Sequence, residues 1–121
     1  MAFISNYKDL IVWQKSINLV VEIYKLTDYF PKSEIYGLSS QMKRSAVSIS
    51  SNIAEGCRRG SKKEYARFLR IAFGSGAELE TQIEICKKIN KLNNNNFQII
   101  DSLLDEVMRI LNKMINNFKN Y

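Results

Sequence analysis

The 121-residue sequence contains no histidine, two cysteines, one proline, five glycines and one tryptophan. Without histidine the chain lacks the usual general base near neutral pH, together with the Ser/His and Cys/His nucleophile pairs. Acid/base work would fall to carboxylates, lysines and tyrosines, which weakens an enzyme reading from the start. Cys57 and Cys86 are too few for a disulfide framework, and in a chain with no histidine they do not suggest a zinc site. The longest uncharged stretch, Ser45 to Ala54, is ten serine-rich residues, half of what a bilayer-spanning helix needs, so no membrane segment is expected. Met1 to Leu10 shows no basic region followed by an apolar segment and a small-residue cleavage site, which points to a cytoplasmic protein. No metal and no cofactor is expected.

What is present fits one globular domain over residues 1–121. Hydrophobic residues make up 45% and charged residues 25%, enough to build one core and not two. The formal charge is +6, and all of it sits in one segment. Lys43 to Arg70 holds eight basic residues (Lys43, Arg44, Arg58, Arg59, Lys62, Lys63, Arg67, Arg70) against two acidic ones, Glu55 and Glu64, while the rest of the chain balances to zero. A basic band on a neutral body is the footprint of a polyanion partner, because each phosphate neutralised releases condensed counterions. The competing reading is a solvated face that only aids solubility.

Every periodic segment reads as helix, and none alternates as a strand. A first helix is predicted from about Leu10 to Tyr29, ending before Pro31 because the residue preceding a proline avoids the helical region. It carries one apolar stripe of Leu10, Trp13, Ile17, Val20 and Tyr24, and a second of Val12, Leu19, Ile23 and Leu26. Two stripes require two neighbours, which could include another subunit. After a turn through Lys32 to Gly37, a second helix is predicted from about Ser39 to Cys57, with Leu38, Met42, Ile49, Ile53 and Cys57 apolar and small residues that allow close helix approach.

Arg58 to Gly60 reads as a loop, and Ser61-Lys62-Lys63-Glu64 as a capping box opening a third helix that runs to about Leu92. Gly74 and Gly76 in its middle cost roughly 2 kcal/mol relative to alanine, which predicts close backbone contact or a kink. Asn93 to Asn96 reads as a loop. The last helix, about Phe97 to Asn120, shows strict three-four spacing through Phe97, Ile100, Leu104, Val107, Leu111, Met114 and Phe118. The expected fold is an all-α, up-down-up-down antiparallel four-helix bundle.

On the second helix Arg44, Ser48, Asn52 and Glu55 fall on one face. With the turn centred near residue 59 or 60, Arg44 lies opposite Ser75 and within a turn of Glu78, so an Arg44–Glu78 pair is expected. This stripe of Arg44, Ser48, Asn52, Glu55, Ser75 and Glu78 is either a site or a hydrogen-bond network that sets helix register; the structural reading comes first, since the groups could satisfy one another. The candidate nucleic-acid-binding residues are Arg58, Arg59, Lys62, Lys63, Arg67 and Arg70. Cys57, Cys86, Trp13 and the tyrosines lie at core spacing. The acidic residues of the third and fourth helices lack the histidines that a di-iron bundle requires.

The run Asp9-Leu10-Ile11-Val12-Trp13, then Phe30-Pro31, then Tyr36-Gly37-Leu38 with Gln41, Arg44, Ser48, Ile49 and Asn52-Ile53-Ala54-Glu55-Gly56, and later Gly74-Ser75 with Glu78-Leu79, resembles the bacterial four-helix-bundle proteins of the 23S rRNA intervening-sequence family. The order and spacing of these pieces cover nearly the whole chain. The resemblance implies a small cytoplasmic bundle that assembles as a homopentameric ring, with Arg44, Asn52, Glu55 and Glu78 at family-typical positions and no catalytic role attached to them. A related branch, the accessory variability proteins of diversity-generating retroelements, binds nucleic acid and a reverse transcriptase through a basic surface. The function expected is therefore a non-enzymatic, oligomeric accessory protein that binds RNA or DNA electrostatically. The alternative is a structural or adaptor homo-oligomer with a reverse transcriptase or another protein as partner.

Overall fold

The computed structural model describes residues 6–31, 33, 37–89 and 97–118. A short 3-10 turn, Tyr7–Asp9, precedes four helices: α1, Ile11–Thr27; α2, Leu38–Arg58; α3, Lys62–Ile89; and α4, Gln98–Asn117. There is no strand among the described residues. Each helix packs antiparallel on the next, and α4 returns to α1, which closes the expected up-down-up-down bundle. The predicted Asn93–Asn96 loop, most of the Lys32–Gly37 turn, and the predicted ends of the third and fourth helices lie outside the described residues.

The core follows helical spacing closely. Met42, Ala46, Ile49 and Ile53 of α2 and Leu69, Ala72, Leu79 and Ile83 of α3 are buried together with Ile100, Leu104, Val107 and Leu111 of α4. Cys86 is buried among them, while Cys57 is half-buried at the edge. Helix α1 turns its second stripe inward: Val12, Leu19, Ile23 and Leu26 are buried. Of the first stripe only Leu10 is buried; Trp13, Ile17 and Val20 are half-buried and Tyr24 is exposed. The two neighbours of α1 in its own chain, α2 and α4, cover the second stripe between them and leave most of the first at the surface.

Glycine sets the closest approaches. A Cβ added at Gly56 would lie 2.7 Å from the Cβ of Phe68, so the α2 and α3 backbones approach as only a glycine there allows. A Cβ at Gly76 would overlap the Met108 sulfur, which places α4 against α3. Gly74 is different: its Cβ position opens on empty space, and α3 runs through both glycines without interruption.

Candidate nucleic-acid interface

The connection between α2 and α3 gathers the basic residues. Helix α2 ends as the Arg59 N–H bonds the Gly56 carbonyl at 3.2 Å, and Gly60 reverses the chain at a φ of 81°, a left-handed value that favours glycine. Ser61 Oγ then accepts from the Glu64 N–H at 3.1 Å, which is the serine half of the predicted capping box. The Glu64 carboxylate pairs with Arg67 at 3.1 Å. Arg58, Arg59 and Lys63 are exposed on either side of this turn, and Lys62 is half-buried. Lys62 and Lys63 fall in the first turn of α3, where cations oppose the helix dipole at about 0.3–1 kcal/mol each. Local helix energetics do not explain lysines at those positions.

The arginines lie on aromatic rings. The Arg58 guanidinium sits 5.3 Å from the Tyr7 ring centre, and Arg59 and Arg67 approach Phe68 at 4.9 and 4.6 Å. Contacts of this kind hold a guanidinium in place over an aromatic ring. Two of these cations are also partly neutralised within the chain, Arg59 by Glu55 at 2.5 Å and Arg67 by Glu64. Lys63 and Arg70 are exposed and join no ion pair among the described residues. Tyr7 also brings its exposed neighbour Lys8 to this end.

The polar stripe divides. Ser48 Oγ and Ser75 Oγ are 2.8 Å apart, and Asn52 Nδ2 donates to the Ser48 carbonyl at 2.8 Å and to its hydroxyl at 3.0 Å. Those three residues form an interhelical network. Ser75 thus faces Ser48 and not Arg44, one helical turn from the expected register, because the Gly56–Phe68 contact pins the two helices. Arg44 donates to Ser40 at 3.3 Å, Glu55 holds Arg59, and Glu78 stands exposed. The expected Arg44–Glu78 pair is not found: no ion pair joins the two among the described residues, and both are exposed.

Several contacts were not legible in the sequence. Ser50 Oγ donates to Ser16 Oγ at 3.0 Å in a buried link between α1 and α2, and Ser16 donates on to the Trp13 carbonyl at 2.6 Å. Lys15 pairs with Glu106 at 2.6 Å and Lys87 with Asp101 at 2.7 Å, tying α1 and α3 to α4. The hydrogen bond to Lys15 holds the Glu106 carboxyl below its ordinary range. Nothing in the spacing of Phe68 or Tyr7 marked them as rests for arginine. Beside the turn, Cys57 and Tyr65 share a hydrogen bond; burial pushes the Cys57 thiol up against the opposing pull of Arg58, and burial with Cys57 beside it raises Tyr65 to about 12. A thiol so shifted stays protonated at neutral pH and is a poor nucleophile. No group of three or more Cys, Asp or Glu side chains among the described residues is placed to hold a metal ion. No helix among them is long and apolar enough to cross a membrane.

This geometry defines a small antiparallel helical bundle with a cationic, arginine-on-aromatic end. The chain belongs to the family described as 23S rRNA-intervening sequence protein, whose model matches residues 8–113. It is similar to a crystal structure of a protein of unknown function from the S23 ribosomal protein family of Bacteroides thetaiotaomicron VPI-5482. The two are 25% identical over 87% of this chain and 98% of that one, with a TM-score of 0.77. No curated protein matches the chain.

Proposed function

We propose that this protein is a non-enzymatic, oligomeric accessory protein of the cytoplasm that binds RNA or DNA through the α2–α3 end. The observation that carries the reading is the clustering of Arg58, Arg59, Lys62 and Lys63 about one turn, two of them at helix positions that local energetics disfavour. Arg67 and Arg70 extend the band along α3. Phosphates are the natural ligands for exposed lysines and for guanidinium groups laid on aromatic faces. Contacts of this kind position a backbone and read little sequence, so affinity falls steeply with salt. The uncovered apolar stripe of α1 and the resemblance to ring-forming bundles support a homopentamer, in which the basic end is repeated five times and weak contacts gain avidity.

The test replaces Arg58, Arg59, Lys62 and Lys63 with glutamine and follows binding to unrelated RNA and DNA oligonucleotides over a range of salt. The expected result is an intact helical spectrum, weaker binding to every oligonucleotide, and a flatter dependence of log affinity on log salt. Absence of salt-dependent binding by the wild-type protein at low ionic strength would overturn the nucleic-acid reading and leave the adaptor, with a reverse transcriptase or other protein as partner, in its place.

A further inference from the structure

Trp13, Ile17 and Val20 of α1 line an apolar groove of about 280 Å³ with Val47, Ser51 and Ala54 of α2. Tyr7 under Arg58 bounds one end, and Tyr24 under Lys43 stands beyond the other. Val47 is 40% exposed, and Arg44 stands exposed one turn before it. The core of the chain is complete without this groove, and an uncovered apolar cleft flanked by cations marks a contact surface. On α3 a second apolar row is uncovered. Ile71 and Ile85 are 39% and 44% exposed, and Glu78 falls midway between them. The spacing of seven puts all three on one face. Glu78 joins no ion pair among the described residues.

We infer that the α1–α2 groove of one copy receives the Ile71–Glu78–Ile85 row of a second copy, with Glu78 meeting Arg44 at the groove edge. This rests on the oligomeric reading above and names the surfaces that make it. The dimensions agree: Ile71 to Ile85 spans about 21 Å of helix and Trp13 to Tyr24 about 16 Å. The charges agree as well, since the groove is edged by Lys43 and Arg44 and the row carries a carboxylate without an ion-pair partner. The two surfaces differ, so the contact is heterologous. They lie on different sides of the bundle, the groove between α1 and α2 and the row on the outer side of α3, so each copy is rotated relative to the last, the arrangement that a closed ring requires.

The experiment uses Val47→Glu, which damages the groove, and Ile71→Glu, which damages the row. Both positions are exposed in the single chain, so helix content and melting are expected to stay native. Each variant alone is expected to return the monomer mass by light scattering. A one-to-one mixture is expected to form a dimer and nothing larger, because each variant keeps the surface the other lacks. Should Val47→Glu fail to fold, Ser51→Arg, also exposed, takes its place. Arg44→Glu is expected to weaken assembly, and adding Glu78→Arg to restore it. In the wild type, emission from Trp13, the single tryptophan, is expected to shift to shorter wavelength as assembly covers it. An assembled wild type whose mass survives both substitutions would overturn the assignment of surfaces and leave the oligomeric reading standing. So would loss of assembly in Val47→Glu but not in Ile71→Glu, which would mean that the groove packs on itself. A wild type that is monomeric at high micromolar concentration would overturn both.

Discussion

The hydroxyls of Ser48 and Ser75 meet at 2.8 Å across the seam between α2 and α3, and the Asn52 amide donates into the same pair. Ser75 is buried, so its hydroxyl depends on this contact, whereas Ser48 serves two partners at once. Replacing Ser75 with alanine is expected to cost about 0.5–1.5 kcal/mol in denaturant unfolding, and replacing Ser48 more, since that leaves the Ser75 hydroxyl without its partner and the Asn52 amide with the Ser48 carbonyl alone. The double substitution should cost less than the sum of the two. Strict additivity would mean the hydroxyls are not coupled.

The glycines of the central hairpin predict opposite outcomes. Gly56→Ala presses a methyl against Phe68 Cβ, an atom that cannot move without its helix, and is expected to destabilise by about 1–3 kcal/mol. Gly74→Ala meets open space and removes backbone freedom from the unfolded chain, so it should stabilise by about 0.4–1 kcal/mol. Melting temperatures of the two variants moving in the same direction would contradict the packing described.

Tyr65 predicts a loss of stability at alkaline pH. Its folded value, raised from 10.0 to about 12, lets the native state keep a proton that the unfolded chain releases. The stabilisation is therefore whole below pH 10 and is lost as pH climbs toward 12. Lys87, raised by its bond to Asp101, acts in the same sense above its ordinary 10.5. Tyr65→Phe should flatten the fall of unfolding free energy over this range, and an unchanged slope would contradict the shift.

The two carboxylates that hold Arg59 and Arg67 restrain the basic end. Glu55→Gln together with Glu64→Gln removes the partner of each arginine and adds two to the net charge. Both pairs are exposed, so stability should change little. Affinity for RNA or DNA is expected to rise, and the slope of log affinity against log salt to steepen. Titrations across salt concentration check this directly; unchanged affinity would place the phosphate contacts away from these arginines.

Helix identity, order and most of the core were settled by sequence spacing, because burial on one side of a helix imposes a period that a single chain displays openly. The Ser61 cap and the clustering of charge about residues 58–63 were equally local and equally legible. Register and choice of face were not. Ser75 facing Ser48 instead of Arg44 depends on how deeply Phe68 settles against Gly56, a distance between helices that no spacing encodes. Which stripe of α1 faces inward was decided by how α2 and α4 pack against it, so Leu19 and Ile23 are buried while Trp13 and Val20 stay at the groove. The same holds for the rings beneath Arg58 and Arg59. Tyr7 and Arg58 are far apart along the chain, and only the fold brings residues from separate elements together and turns packing groups into supports for charge.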